Sequence, residues 1–184
     1  MIRDDLFSTS VYRKTCSIDL ESLEKKCLDY AAGIKSEHRS NVGGYQGHGF
    51  YDEELFLEIS QSLPIREDKI IENITFYAWV NINKCGDYNE RHHHDPHDGT
   101  FMSGVFYVKV PENSGEIKLY DPRPPILLTT RDMTYYNNGY THYCYKPEEN
   151  FMLIFPPWLE HSVYPNKSKE KRISIGFNIF TEDV

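Results

Sequence analysis

Long apolar runs are missing from this sequence. No window approaches the ~20 consecutive apolar residues that a membrane-spanning helix needs, so no membrane association is expected. The opening residues, Met1-Ile2-Arg3-Asp4-Asp5, lack the apolar stretch of a secretory signal. Cysteine is scarce: Cys16, Cys27, Cys85 and Cys144 are far apart and form no CxxC pair. Neither a zinc knuckle nor a dithiol redox motif is therefore indicated, and free thiols in the cytoplasm are the plain reading. Positive charge is also short, with 20 Lys and Arg against 28 Asp and Glu and a net charge of −8. Such a chain has no general attraction for phosphate backbones or anionic lipid, so nucleic acid is not an expected partner. The shortage of aromatics typical of disordered chains is not seen, since aromatics make up 14% and hydrophobic residues 39%. The 184 residues suit one domain, large enough to bury roughly 70% of its unfolded surface. What stands out is histidine: of eight in the chain, four lie between His92 and His97.

Residues 1–69 read as a helical region with a loop, and residues 70–184 as a β-rich core of the same domain. From Asp19, the residues Leu20, Leu23, Cys27, Tyr30, Ala31 and Ile34 recur at spacings of three and four, one apolar stripe along a helix. The run Asn41-Val42-Gly43-Gly44-Tyr45-Gln46-Gly47 reads as a glycine-rich loop. A second helix is expected from Asp52, with acidic residues at its start and Pro64 at its end. Beyond it the period drops to two. Residues 74–83 alternate, with Ile74, Phe76, Ala78, Val80 and Ile82 opposite Thr75, Tyr77, Trp79, Asn81 and Asn83. Further strands are expected at 101–110, 115–121, 126–130, 141–145, 151–155 and 172–180, separated by turns rich in proline, asparagine and glycine. Many short strands at this spacing predict a mainly β (α+β) fold, a closed barrel or jelly roll with the N-terminal helices packed on one face.

The chemistry centres on Arg91-His92-His93-His94-Asp95-Pro96-His97-Asp98. On an extended backbone, residues two apart point the same way, so the His93 imidazole and the Asp95 carboxylate could share one ion. His161 lies far downstream. Two histidines and a carboxylate make the facial triad of non-heme Fe(II) oxygenases, with open positions for other ligands. His94 and His97 are the neighbours that another register would bring to the metal; His92, His94 and His97 otherwise serve as loop residues, supporting partners or substrate contacts. On the last strand, Arg172, Ser174 and Asn178 share one face. A guanidinium and a hydroxyl on one face can hold a carboxylate, such as the distal end of an α-keto diacid. Tyr107 shares a strand face with Ser103, and its phenol is a further candidate donor to that carboxylate.

These residues sit in a pattern that resembles a known family. The pattern comprises Arg39 to Gln46, Asn81 to Tyr88, Ser103-Gly104-Val105-Phe106-Tyr107-Val108, Asn113-Ser114-Gly115, Tyr120 to Arg123, Leu153 to Val163, and Arg172 to Asn178. It is similar to the Fe(II)/2-oxoglutarate-dependent oxygenases, and within them to a small group found in phages and marine bacteria. The resemblance implies a double-stranded β-helix of the cupin-like jelly-roll type. It implies Fe(II) held by His93, Asp95 and His161, and 2-oxoglutarate held by Arg172; the strand faces add Ser174 and Tyr107 as candidate donors to it. It further implies a dioxygenase that consumes dioxygen, hydroxylates a small-molecule or peptide substrate, and releases succinate and CO₂. A phage origin would place it in the host cytoplasm. Two other classes share parts of the pattern: a cupin-like metalloenzyme that does not use 2-oxoglutarate, and a non-catalytic jelly-roll binding module. The Arg131–Gly139 segment is a candidate lid over the cleft.

Overall fold

A computed structural model describes residues 8–63, 74–94, 99–123 and 142–181. The expected strand at 126–130, the candidate lid, Asp95 and His97 lie outside the described residues. In chain order the elements are β1 (Tyr12–Thr15), α1 (Leu20–Gly33), β2 (Asn41–Val42), β3 (Tyr45–Phe50), α2 (Glu53–Gln61), β4 (Thr75–Asn83), β5 (Tyr88–His92), β6 (Thr100–Lys109), β7 (Ile117–Tyr120), β8 (His142–Tyr145), β9 (Phe151–Phe155), β10 (His161–Val163) and β11 (Arg172–Phe180). They form two antiparallel sheets, a larger one in the order β1-β9-β6-β11-β4-β3 and a smaller one in the order β2-β5-β10-β7-β8. This is the mainly β, two-sheet architecture that the strand pattern predicts, and the double-stranded β-helix that the resemblance implies.

Both helices start where the sequence caps them. The Asp19 carboxylate accepts from the backbone N–H groups of Glu21 and Ser22, and Asp52 accepts from Leu55 N at 2.9 Å. Each cap satisfies donors that the helix leaves open, worth about 1 kcal/mol. Lys26, midway along α1, reaches Asp52 at 2.5 Å and ties α1 to the start of α2. Leu23 and Cys27 of α1 and Leu55 and Ile59 of α2 face the larger sheet. There they meet Ala78, Val80 and Ile82 of β4, together with Ile173, Ile175, Phe177 and Ile179 of β11. Complete burial of such a side chain contributes roughly 1.5–3 kcal/mol, so this layer is the main source of stability. Strand alternation then sends the other face of β4, β6 and β11 toward the smaller sheet. A second, smaller cluster of Ile117, Leu119, Leu153, Phe155 and Leu159 fills one end of the space between the sheets. The site lies beside this cluster, with Ile117 and Phe155 forming part of its wall.

The N-terminal region holds more β structure than its sequence suggests. Residues 41–47, read as a loop, contribute β2 and part of β3, with Gly43 and Gly44 at φ 66° and 64° between them. β2 belongs to the smaller sheet and β3 to the larger. The glycines therefore mark a corner where the chain changes sheets, and a Cβ on Gly43 would meet the Asp87 carboxylate at 2.1 Å.

Candidate metal centre and cofactor cleft

Three imidazoles converge between the sheets. One ring nitrogen from each of His92, His94 and His161 lies within 4.8 Å of the others. The pairing of β5 with β10 brings them together, because His161 is the register partner of His92. The register shifts between His161 and Val163, and the bulge lies beside the cluster. His94 follows the strand end and is fixed by its backbone N–H, which donates to Pro157 O at 2.9 Å. Residues 92 and 94 are two apart and point inward together, whereas His93 between them is exposed and contributes no atom to the cluster. Of the sequence-derived triad, the structure thus brings His161 to the centre and leaves His93 outside it. The two-residue spacing that pairs His93 with Asp95 pairs His92 with His94 equally well, and among the described residues it is His92 and His94 that turn toward His161.

The donor chemistry suits a divalent transition metal. Each Nδ1 is committed to a carbonyl-type oxygen: His92 to Glu90 O at 2.7 Å, His161 to Leu159 O at 2.9 Å, and His94 to the Asn178 side-chain Oδ1 at 2.5 Å. An Nδ1–H that donates to such an acceptor leaves Nε2 with its lone pair free for an ion, the arrangement typical of metal-binding histidines. Burial holds His161 well below the ordinary histidine range, and the neighbouring His92 and His94 lower it further. Burial also lowers His92. His92 and His161 are therefore neutral ligands near neutral pH.

Beside the triad, a cleft of about 490 Å³ (open mouth included) runs between the sheets. Its floor is the inner face of β11, with Arg172, Ser174 and Gly176, flanked by Asn81 and Trp79 of β4 and Tyr107 of β6. Arg172 is only 1% exposed. Its Nη1 donates to Ser114 O at 2.6 Å and Gly115 O at 3.3 Å, yet its Nε is buried without a partner. Burial pulls its pKa down, with Tyr107 and Asp87 opposing, and no carboxylate pairs with it among the described residues. A buried, unpaired guanidinium is costly and suits an anionic ligand that supplies the missing acceptor. Burial pushes the Tyr107 phenol up to about 12, so it stays a hydroxyl donor. Ser174 lies between Asn81 and Tyr107 in the cross-strand row. The site thus offers a metal-ligand cluster at one side and donors for a carboxylate at the other, which fits Fe(II) with a 2-oxo diacid.

Trp79 and Asn81, on the polar face of the alternating 74–83 run, line the cleft; Asn83 on the same face is buried but is not part of the lining. Gln46, Ser40 and Asn89 line it too and were hidden in segments without a clear period. The signal for Gln46 was its place next to the sheet-changing glycines.

The match to known proteins agrees with this geometry. Residues 77–178, more than half of the chain, match the family described as "Putative 2OG-Fe(II) oxygenase". No curated protein matches the chain. Among solved structures, a prolyl-4-hydroxylase from Pseudomonas putida aligns at 15% identity and TM-score 0.62, covering 96% of this chain and 95% of that one. A prolyl hydroxylase from Trichoplax adhaerens, solved with a hypoxia inducible factor peptide fragment, aligns at 17% identity and TM-score 0.63, covering 94% and 83%. The carbocyclase SnoK of nogalamycin biosynthesis aligns at 8% identity and TM-score 0.63, covering 94% and 80%. At these identities the structural likeness speaks for the fold, and the family match speaks for the chemistry. The imidazole cluster could hold the metal such chemistry uses, and the chain belongs to the 2OG-Fe(II) oxygenase family.

Proposed function

We propose that the chain hydroxylates a small-molecule or peptide substrate, with His92, His94 and His161 holding Fe(II) and with Arg172, Ser174 and Tyr107 binding the distal carboxylate of 2-oxoglutarate. The observation that carries this reading is the unpartnered Nε of Arg172, buried in the same cleft as the three imidazoles. When bound, the iron and its co-substrate supply dioxygen activation coupled to release of succinate and CO₂.

The protein's own residues do the rest. The three histidines have Nδ1 engaged by an oxygen, which directs Nε2 to the metal. Arg172 neutralises and orients the diacid, while the Tyr107 and Ser174 hydroxyls can donate to it in place of water. The apolar walls formed by Phe155, Val105 and Ile117 keep bulk water from the reacting end. All four cysteines are free thiols, which fits action in the reducing cytoplasm.

The test is 2-oxoglutarate binding to the Fe(II)-loaded protein without oxygen, followed by its metal-to-ligand absorption band. Wild type is expected to develop the band. Arg172→Met is expected to need at least ~100-fold more 2-oxoglutarate, in line with the loss of a buried charged contact. A wild-type protein that binds Fe(II) but develops no band would favour a cupin-like enzyme that does not use 2-oxoglutarate. Unchanged 2-oxoglutarate affinity in Arg172→Met would remove the arginine from its assigned role.

A further inference from the structure

Two buried acceptors in the cleft are not used by the chemistry above. Gln46 of β3 and Asn81 of β4 are register partners, 3% and 8% exposed, and both line the cleft. Gln46 Oε1 and Asn81 Oδ1 are each buried without a hydrogen-bond partner. A buried polar atom left unpaired costs about 1–3 kcal/mol, so two of them side by side in a ligand cleft call for a donor. The fully ionised 2-oxoglutarate carries acceptors only and cannot satisfy them. Nor does a cationic donor fit well, because the described lining contains no aspartate or glutamate to balance it, while Arg172 already puts positive charge in the cleft. The donor is therefore neutral and has at least two hydrogens.

Water meets that description when the cleft is empty; among substrate groups that displace it, a primary carboxamide is a small one with both hydrogens on one atom. Its nitrogen carries two N–H bonds and no charge, so it can donate to Gln46 Oε1 and Asn81 Oδ1 together. Its carbonyl needs a donor in return. Ser40 supplies one: its Oγ accepts from Asn89 Nδ2 at 3.2 Å, which leaves its own O–H to donate, and both residues line the cleft. The indole of Trp79, one residue pair along β4 and stacked on His48 at 5.5 Å, gives a flat apolar wall for the adjoining carbons. We infer that Gln46 and Asn81 form a substrate subsite for a primary carboxamide, with Ser40 on its carbonyl. This rests on the assignment of 2-oxoglutarate to the Arg172 end of the cleft.

The experiment uses the full chain loaded with Ni(II), which does not support turnover, and 2-oxoglutarate. Propionamide and the isosteric propionate are compared by saturation-transfer NMR, and 2-oxoglutarate is titrated in parallel by calorimetry. Binding of propionamide but not propionate is expected, with a loss of about tenfold or more in Gln46→Met and in Asn81→Leu and 2-oxoglutarate affinity within about twofold of wild type. Equal binding of both probes, or of neither, overturns the subsite. So does a loss of 2-oxoglutarate affinity in these variants with propionamide binding intact, which would give the two amides to the co-substrate. If the variants do not fold, the discrimination between the probes by wild type decides alone. If Ni(II)-loaded wild type binds no 2-oxoglutarate, the assignment of Arg172 fails, and the same probe comparison on the metal-only protein still decides the carboxamide.

Discussion

The His94 imidazole is held by a side chain: its Nδ1 lies 2.5 Å from Oδ1 of Asn178 on the opposite sheet. The Ser103 hydroxyl donates to the same oxygen at 2.8 Å and so fixes the amide. His92 and His161 rest on backbone carbonyls instead. Of the three, His94 is therefore the one whose Nδ1 partner can be replaced by substitution while the backbone stays as it is. Asn178→Leu is expected to weaken Co(II) binding by 10–100-fold, the usual cost of losing a supporting partner of a metal ligand. Unchanged Co(II) affinity would show that His94 does not need this bond or does not bind the ion.

The cluster geometry separates neighbours that look alike in sequence. His92→Ala and His94→Ala are each expected to lower Co(II) affinity by more than tenfold, and His161→Ala to abolish substrate-independent succinate formation. His93→Ala should leave Co(II) affinity within about twofold, since His93 is exposed and outside the cluster. The opposite ranking in the Co(II) titration would assign the ion to His93 and Asp95.

Close packing of β6 predicts a stability effect away from the chemistry. A Cβ on Gly104 would lie 2.3 Å from the Phe177 ring and 2.5 Å from the backbone oxygen of Leu153. The ring could turn; the carbonyl, held between paired strands, could not easily. Gly104→Ala is expected to destabilise the fold by roughly 1–3 kcal/mol, measured by urea unfolding. A change below about 0.5 kcal/mol would mean that the β6–β9 contact yields more readily than the geometry implies.

Burial also sets an alkaline limit. Burial pushes the Cys16 and Cys27 thiols from 9.0 up to about 12. Above pH 9 the unfolded chain loses these protons and the folded chain keeps them, so stability falls as pH rises. The raised Tyr107 hydroxyl adds to this above pH 10. The melting temperature is expected to decline from about pH 9 upward, while Cys16 and Cys27 resist iodoacetamide at pH 8 and the exposed Cys85 reacts. A flat profile to pH 11, or early labelling of Cys27, would contradict the burial of these thiols.

The features that sequence conveys well are the periodic ones. Alternation in β4 and β11 marks both faces of each strand; it sets Arg172 apart from the basic run Lys167–Lys171 as the first residue on the strand's polar face, and His161 stands out because no other histidine lies near it in the sequence. Three consecutive histidines defeat the same reasoning. They occupy both parities of the strand, so spacing alone cannot tell His92 and His94 from His93 and Asp95. The choice comes from the pairing of β5 with β10, which neither strand announces: β5 has no apolar alternation, and β10 is three residues long. Gln46 was obscured because a glycine-rich stretch reads as a loop, whereas here the glycines turn a corner between sheets.

The alignment of His161 with His92 across two short strands also bears on how the sheet keeps its register. Sliding β10 by one residue along β5 would turn an inward imidazole to the outer face, and an ion shared by the two strands would lose a ligand. Metal occupancy would then work as a latch, penalising the misaligned sheet and favouring the single alignment in which the cleft is complete.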